Sequence, residues 1–359
     1  MKFLVAPDGF KGGLKSTEFC ATARFVLEEY GHTVDCFPMC DGGDGFVETY
    51  TSLLGGEILT CRVTDPNFFI KNVRYGVKDD VAVVGVAECC SLAKTMIKNP
   101  LYTTSYGLGE AISLAKKLNK KRVYVGLGGS ATNDGGAGAV CALGGRFFNK
   151  KGEEFTPTGN TLREIERIEL DDFYKNIEGM SFVALSDVKN PLIGKDGCSF
   201  TYAAQKGAVG EEIDELEKNM EHFAEKTAFL GVSPYFEGAG AAGGLGYCLK
   251  AFFGAEIVSG ADFILDSGRF DERIADCDCV ITGEGCYDAT SQNGKVCAVV
   301  MKRAERFNKK ALVFCGEKKG TSDERIVAIN SAEKTLAQNI ADAAENLDAA
   351  IRRTIEKAI

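Results

Sequence analysis

The most informative segment of this chain is Gly126-Leu-Gly-Gly-Ser-Ala-Thr-Asn-Asp-Gly-Gly-Ala-Gly138. The run Arg122-Val-Tyr-Val125 before it predicts a β-strand, and the small apolar run Ala137-Gly-Ala-Val-Cys-Ala-Leu143 after it predicts a helix. Where a glycine-rich loop joins a strand to a helix, α/β proteins bring backbone N–H groups against an anion. Polar side chains in the same loop could orient a ligand or hold a cation; they are Ser130, Thr132, Asn133 and Asp134.

The same segment has a plainer interpretation as a turn. Asn133 or Asp134 could simply cap the helix that follows, with the glycines serving the turn alone. The density of glycine and hydroxyl groups exceeds what a cap requires. We therefore interpret the segment as a binding site, and the capping role stays open as the alternative.

The composition describes an ordinary globular protein of two domains. The chain has 359 residues, of which 45% are hydrophobic and 26% are charged, and domains of about 150 residues are typical. A net charge of −9 argues against nucleic acid as a partner, because nucleic acid favours a basic face. From the start Met1-Lys-Phe-Leu-Val5 we expect no signal peptide, and no apolar run in the sequence approaches the ~20 residues that span a bilayer. We therefore expect no membrane partner and a cytoplasmic location.

Fourteen cysteines and two histidines indicate neither a zinc site nor histidine chemistry. No cysteine pair has the Cys-x-x-Cys spacing, and only His32 and His222 could complete a Cys/His ligand set. Cysteines scattered through apolar stretches are typical of small core residues in a reducing compartment. We expect the cysteines to be structural and neither histidine to be catalytic.

The order of predicted elements indicates an α/β fold with two domains. Apolar runs that predict strands alternate with amphipathic runs that predict helices, and the turn at Lys78-Asp-Asp80 predicts an antiparallel hairpin. We expect one Rossmann- or flavodoxin-like domain with a mostly parallel sheet, and a mixed α/β domain that contains the hairpin. The first domain would comprise residues 1–65 and 285–359, and the second, inserted domain residues 66–284. The predicted strands are residues 2–6, 33–37, 58–63, 72–77, 81–86, 122–125, 181–185, 278–281 and 311–315.

Charged side chains recur directly after predicted strands. Asp8 and Lys11 follow the first strand, and Asp41-Gly-Gly-Asp-Gly45 follows the second and matches Asp134-Gly-Gly-Ala-Gly138. Loops after parallel strands face the carboxyl edge of the sheet, where open α/β folds bind ligands, so a substrate is expected near Asp8 and Lys11. Asp41 could bind Mg²⁺ or a ligand hydroxyl, or could only cap a helix, and these alternatives stay open.

The sequence has no P-loop and only a partial match to the dinucleotide-binding motif. The P-loop is absent, because Gly294-Lys295 is followed by Val296 and has Ala289 where the motif needs glycine. Gly126-x-Gly-x-x-Ala131 matches a loose dinucleotide fingerprint, but the acid expected about 20 residues later is missing. A nicotinamide-dependent oxidoreductase of a small hydroxy acid and a non-catalytic small-molecule sensor remain as alternative functions.

Acids, lysines and glycine loops without a useful histidine favour phosphoryl transfer. That reaction needs charge stabilisation and one carboxylate that positions the attacking hydroxyl. Asp187 is the best candidate for this carboxylate, since it follows the predicted buried strand Ser181–Leu185 and precedes a loop with Pro191. The alternative for Asp187 is an ordinary turn residue.

A set of motifs, in this order along the chain, resembles the type I glycerate kinase family. The similarity covers residues 1 to about 316, and the motifs are Ala6-Pro-Asp-Gly-Phe-Lys-Gly-Gly-Leu14, Asp41-Gly-Gly-Asp-Gly45, Gly128-Gly-Ser-Ala-Thr-Asn-Asp-Gly-Gly-Ala-Gly138, Asp187-Val-Lys-Asn-Pro-Leu192, Gln205-Lys-Gly-Ala208, Gly238-Ala-Gly-Ala-Ala-Gly-Gly-Leu-Gly246 and Ile281-Thr-Gly-Glu-Gly285. The resemblance implies two α/β domains with the active site in the cleft between them. It also implies ATP- and Mg²⁺-dependent phosphorylation of D-glycerate, usually at the 2-hydroxyl, and a homodimer is left open.

With this resemblance we expect four groups of site residues. Asp187 and Lys11 are expected to be catalytic. The expected substrate contacts are Asp8, Ser130, Asn133 and Asp134. The expected nucleotide or phosphate contacts are Gly128, Gly129, Gly283, Gly285 and Lys295, and the expected Mg²⁺ ligands are Glu284, Asp288 and Asp41.

The sequence also departs from the pattern of the family it resembles. Family members commonly carry Arg-Leu-Asp after Gly-Glu-Gly, where this chain has Cys286-Tyr-Asp288 and so lacks a cation. They more often have Ser at the positions of Gly9 and Gly13, Glu at that of Asp44, and Phe-Gly-Pro at Tyr202-Ala-Ala204.

Overall fold

The computed structural model describes residues 1–10, 12–40, 42–288, 291 and 295–358. The chain divides into two compact units. Unit 1 comprises Met1–Asp41 and Ala261–Ile359, and unit 2 comprises Gly42–Gly260. Each unit contains both helices and strands, so the predicted α/β class is confirmed.

The strands and helices have the following bounds. The strands are β1 Lys2–Val5, β2 Thr33–Cys36, β3 Glu57–Thr64, β4 Ile70–Lys78, β5 Val81–Gly85, β6 Arg122–Gly126, β7 Arg146–Phe148, β8 Glu154–Phe155, β9 Arg167–Glu169, β10 Ser181–Leu185, β11 Glu256–Val258, β12 Cys279–Tyr287, β13 Lys310–Lys318 and β14 Ile326–Ala328. The α-helices are α1 Ser16–Glu29, α2 Phe46–Leu53, α3 Val86–Cys89, α4 Tyr106–Lys117, α5 Ala137–Ala142, α6 Asp171–Ile177, α7 Cys198–Tyr202, α8 Glu211–Lys226, α9 Ala241–Phe253, α10 Gly260–Ser267, α11 Phe270–Ala275, α12 Val296–Arg306, α13 Leu336–Ala341 and α14 Ala343–Ala358. Short 3-10 helices lie at Leu162–Glu164, Ala204–Lys206 and Ala228–Leu230.

Unit 1 is built on a parallel sheet, here called sheet A, with the strand order β14-β13-β12-β1-β2. Its central strands are apolar on both faces, as expected for parallel strands covered by helices. Helices α1 and α14 pack together over the sheet through Phe19, Ala23, Leu347 and Ile351, all of them fully buried. The mostly parallel sheet predicted for one domain is therefore present.

Unit 2 is built on a mixed sheet, sheet B, with the order β11-β10-β6-β5-β4-β3. Strands β5, β6, β10 and β11 are parallel, whereas β3, β4 and β5 pair in an antiparallel manner. Lys78 pairs with Val81 across the turn, which confirms the predicted hairpin. A separate antiparallel sheet, in the order β8-β7-β9, completes the unit.

The boundaries of the two compact units differ from those of the predicted domains. The predicted boundary at residues 65–66 falls in the turn between β3 and β4, which pair from Glu57 with Val77 to Thr64 with Ile70. The boundary at 284–285 falls inside β12, which pairs continuously with β13. The two compact units place residues 42–65 in unit 2 and residues 261–284 in unit 1.

Strand β12 is longer than its sequence predicted. A strand ending at Ile281 was expected, but pairing with β13 continues to Tyr287 opposite Lys318. Gly283 permits this close packing, because a Cβ there would lie 2.4 Å from the carbonyl oxygen of Phe314 and 2.7 Å from the ring of Phe19. Glycine has low strand propensity, so the local sequence gave no sign of the extension. The short elements β11, β14, α10 and α11 were also not predicted.

The cysteines are mostly small buried residues. All fourteen lie in the described part of the chain, none forms a disulfide bond, and most are buried. Across the residues that the structure describes, no helix is both long enough and apolar enough to cross a bilayer.

Candidate active site

The glycine-rich loop of unit 2 lies at the carboxyl edge of sheet B. It leaves β6 at Gly126 and leads into α5, as predicted. Gly126 pairs with Leu185 at the end of β10, and the N–H of Leu127 donates to the Leu185 carbonyl at 2.9 Å. The loop and the segment that begins at Ser186 therefore leave adjacent parallel strands at the same edge. Ligands bind at such an edge in α/β folds.

Two glycines of the loop allow a close approach to the first Asp-Gly-Gly motif. A Cβ on Gly126 would lie 2.5 Å from the Gly42 carbonyl oxygen, and one on Gly128 would lie 2.5 Å from the Cα of Gly43. Gly129 has φ +66°, a conformation that favours glycine. The residues after Asp41 and the loop after β6 thus pack backbone against backbone.

The start of the loop offers donors to an anion. The loop is anchored by the Ala131 N–H, which donates to the Cys90 carbonyl at 2.8 Å, and by the Gly129 carbonyl, which accepts from Leu92 at 2.7 Å. Within the described ranges, the N–H groups of Gly128 and Gly129 donate to no backbone carbonyl. The side chain of Ser130 follows directly and is 5% exposed.

The carboxylate of Asp134 accepts hydrogen bonds from groups of the protein itself. Its Oδ2 accepts from the Ser105 N–H and hydroxyl, both at 2.7 Å, and from the Gly138 N–H at 3.3 Å, while its Oδ1 accepts from Gly136 at 3.2 Å. Burial raises the pKa of this carboxyl, and these donors partly counter the rise. The geometry supports the alternative of a structural cap at the start of α5.

Asn133 is also fully buried. Its Nδ2 donates to the hydroxyl of Ser199 at 3.2 Å. The preceding carbonyl, of Thr132, accepts from the ammonium of Lys206 at 2.7 Å. The predicted substrate contact of Asn133 stays a prediction, and its described contact lies within the protein.

Asp187 follows β10 at the same edge of sheet B and is half-buried. Its Oδ1 accepts from the Ser259 hydroxyl and from the Gly260 N–H, both at 2.9 Å. Both donors come from the segment after β11, the strand adjacent to β10. One oxygen of this carboxylate is therefore held in place by a neighbouring strand end.

In unit 1, Asp8 lies at the carboxyl edge of sheet A. The N–H of Asp8 donates to the carbonyl of Gly283 at 2.8 Å, and its Oδ1 accepts from the Gly9 N–H at 2.8 Å. Because β1 pairs with β12, the loop after β1 lies beside the second half of β12. Asp8 and the Gly283–Gly285 segment are thus neighbours at this edge. Gly283 and Gly285 themselves lie inside β12 rather than in a loop.

Glu284 is a buried acid on this edge. It is 7% exposed, and in the described part of the chain its Oε1 has no hydrogen-bond partner. Burial raises the pKa of the Glu284 carboxyl; Ser291 and Lys295 partly counter the rise, and the charge of Asp288 adds to it. Lys295 is exposed and stands at the N-terminus of α12. Three predicted site residues, Glu284, Asp288 and Lys295, are therefore close enough to interact electrostatically.

A family model described as the glycerate kinase family matches residues 3–358. The chain belongs to the glycerate kinase family. It is 35% identical to a glycerate kinase of Bacillus cereus over 97% of this chain and 95% of the relative, and 34% identical to the glycerate 2-kinase of Escherichia coli over 88% and 85%. A crystal structure of a protein named as glycerate kinase 2 from Salmonella typhimurium matches with a TM-score of 0.86 and 32% identity, covering 100% of this chain and 98% of that one. The predicted family and the predicted enzyme class, a kinase, are confirmed.

Membership of the glycerate kinase family does not test the individual site residues. Lys11 and Asp41 lie outside the described residues, so the structure gives no contacts for the predicted catalytic lysine and the third metal ligand. The described ranges hold no group of three His, Cys, Asp or Glu side chains that could bind a metal ion. The predicted ligands that are described, Glu284 and Asp288, are two carboxylates, a number that Mg²⁺ commonly takes from a protein when phosphates supply further oxygens.

The partners of these site residues were not apparent from the sequence. Ser259 and Gly260 were not singled out, because the three-residue strand before them gave no periodic signal. Lys206 lies in a motif that was noted, Gln205-Lys-Gly-Ala208, but nothing local indicates that its ammonium is buried.

Proposed function

We propose that this protein transfers the γ-phosphoryl group of ATP to a hydroxyl of D-glycerate, giving phosphoglycerate and ADP, with 2-phosphoglycerate the favoured product. Family membership along almost the whole chain supports the substrate and the reaction. The observation that carries the proposal is the held carboxylate of Asp187, beside a glycine-rich loop at the carboxyl edge of sheet B.

Asp187 is the proposed base. As the glycerate hydroxyl oxygen attacks the γ-phosphorus, its proton passes to the carboxylate and the bond from phosphorus to the ADP oxygen breaks. Holding Oδ1 through Ser259 and Gly260 fixes the orientation of the carboxylate before the substrate arrives. A carboxylate that is already oriented avoids the loss of side-chain freedom during the reaction.

The glycine-rich loop is proposed to bind the negatively charged groups. The N–H groups of Gly128 and Gly129 and the hydroxyl of Ser130 are the donors at the start of the loop. Asn133 and Asp134 are proposed to act by shaping this loop, since their described contacts are to the protein.

The remaining roles rest on residues of unit 1. Asp8 is a proposed substrate contact, Lys11 a proposed catalytic cation, and Lys295 with Gly283 and Gly285 a proposed phosphate-binding set. Glu284 and Asp288, with Asp41, are the proposed Mg²⁺ ligands. The buried Oε1 of Glu284, which has no hydrogen-bond partner among the described residues, is an oxygen that a hard cation would stabilise. When bound, Mg²⁺ would neutralise charge on the phosphates. A cytoplasmic location and a homodimer remain predictions.

The test is to incubate the protein with D-glycerate, ATP and Mg²⁺ and to identify the product by phosphorus NMR. We expect ADP and 2-phosphoglycerate in equal amounts; 3-phosphoglycerate would correct the position, and no ADP would refute the kinase. Asp187→Asn should fold, because its amide oxygen can still accept from Ser259, and should lower kcat by about 10²- to 10⁴-fold. Asp80→Asn, at the exposed ion pair with Arg122, is the matched control and should leave kcat unchanged.

The alternatives are separated by thermal shifts. Mg-ATP and glycerate should raise the Tm of a kinase, whereas NAD(H) should raise that of an oxidoreductase. A sensor would bind glycerate but release no ADP.

A further inference from the structure

A lysine is buried directly behind the glycine-rich loop. Lys206, at the end of a 3-10 helix, is only 3% exposed. Its ammonium donates to the carbonyl of Thr132 at 2.7 Å. Burial lowers the pKa of Lys206 to about 8. A buried ammonium lowers the stability of the folded protein unless its hydrogen-bond partners compensate for the loss of hydration.

The surroundings leave room for this contact. A Cβ on Gly243 would lie 2.0 Å from the Thr132 carbonyl oxygen and 2.9 Å from the Lys206 Nζ. Gly243 has φ +72°, and its own carbonyl accepts from the Gly135 N–H at 3.1 Å. The glycine-rich turn at the start of α9 therefore both admits the lysine and bonds to the loop.

The next residue of the loop is held from the same side. The Nδ2 of Asn133 donates to the Ser199 hydroxyl at 3.2 Å, and both side chains are fully buried. On the same segment, the Gly194 N–H donates to the carboxyl of Glu217 at 2.5 Å. Two successive loop residues are thus anchored by polar groups on the segment 194–217, which is distant in sequence.

We propose that Lys206 is a positioning residue, which holds the Thr132 carbonyl and so fixes the loop that presents Gly128, Gly129 and Ser130 to the substrates. Ser199 helps to fix the same loop by accepting a hydrogen bond from the side chain of Asn133. The inference rests on the proposed function only for the identity of the ligands. It adds a residue that touches neither substrate and acts through the loop backbone.

The test compares Lys206→Met with Lys120→Met. The ammonium of Lys120 also donates to a backbone carbonyl, that of Asp79 at 2.6 Å, but at the opposite end of sheet B. We expect Lys206→Met to fold with an unchanged or higher urea midpoint, to raise KM for glycerate and to lower kcat/KM at least about tenfold. Lys120→Met should match the wild type. KM does not depend on the folded fraction, so a purely structural role would leave it unchanged.

Hydrogen exchange gives a readout that does not need activity. Amide hydrogens in peptides covering residues 127–134 should exchange at least about tenfold faster in Lys206→Met than in Lys120→Met. The reason is that Lys206 no longer opposes local opening of the loop. Equal exchange and equal KM in the two variants would overturn the inference. If the wild type does not phosphorylate glycerate, the proposed function fails and exchange alone decides the role of Lys206.

If Lys206→Met does not fold, Ser199→Ala tests whether the loop is anchored from this side. It removes one hydroxyl and is expected to fold. We expect faster exchange at residues 132–134 and a higher KM for glycerate, and values equal to the wild type would count against anchoring of the loop from this side.

Discussion

The Oδ1 of Asp187 accepts a hydrogen bond of 2.9 Å from the hydroxyl of Ser259, which follows the neighbouring strand of sheet B. Asp187 and Ser259 are 72 residues apart in sequence. Their contact follows from the parallel pairing of β10 with β11, which ends with Leu185 opposite Val258. The proposed base is therefore oriented by the sheet itself.

Ser259→Ala should lower kcat by about tenfold and leave KM for ATP unchanged, because Asp187 keeps its hydrogen bond from Gly260 but loses the one from Ser259. Steady-state kinetics with both substrates would measure this. Ser181→Ala, which removes a hydroxyl from the amino end of β10, should leave kcat unchanged. Equal kcat in the two variants would argue against orientation of Asp187 by Ser259.

Stability should report the titration of Lys206. The pKa of this lysine is lowered from 10.5 to about 8, so between these values the unfolded chain holds a proton that the folded protein does not. The free energy of unfolding of the wild type, relative to Lys206→Met, should therefore rise with pH in this window, by about 3 kcal/mol in all. Below pH 8 both states are protonated, and the difference should be flat. Urea unfolding of both proteins at several pH values measures it, and a difference independent of pH up to 10.5 would contradict a buried ammonium.

Gly128→Ala should destabilise the protein by about 1–3 kcal/mol or more, because the new Cβ meets backbone at Gly43 rather than a movable side chain. Gly9→Ala is the control: a Cβ there meets nothing closer than 3.9 Å. Denaturant midpoints of the two variants measure the difference. If the two variants had the same stability, the loop after β6 and the segment at Gly43 would not be packed this closely.

Glu284→Gln should stabilise the free protein at neutral pH and impair its use of Mg²⁺. Burial raises the pKa of the Glu284 carboxyl in the folded protein above its value in the unfolded chain. The free energy of unfolding therefore falls as pH rises between these two pKa values, and the neutral amide of Glu284→Gln avoids that loss. Loss of a proposed ligand should raise the Mg²⁺ concentration for half-maximal activity at least about tenfold. Glu324→Gln, at an exposed position, is the control for both measurements. An unchanged Mg²⁺ requirement would remove Glu284 from the proposed ligands.

Local sequence was sufficient for much of the fold. Runs of apolar residues predicted β1, β6 and β10 to within about a residue, since the side chains of a strand buried on both faces are apolar whatever lies beyond it. The acids and glycines that follow these strands could also be recognised, because the end of an apolar run is visible in the neighbouring residues of the sequence. The motif order was enough to predict the family.

What the sequence alone determined is the set of strands, the glycine-rich loop after β6 and the family to which the chain belongs. Tertiary structure decided which groups those elements bring together. Only sheet pairing carries β12 on to Tyr287, and only packing buries Lys206 against Thr132, 74 residues away. Hydrophobic periodicity and turn chemistry act between near neighbours in the chain, whereas burial, hydrogen-bond partners and shifted pKa values depend on residues that are distant in sequence and adjacent only in the fold.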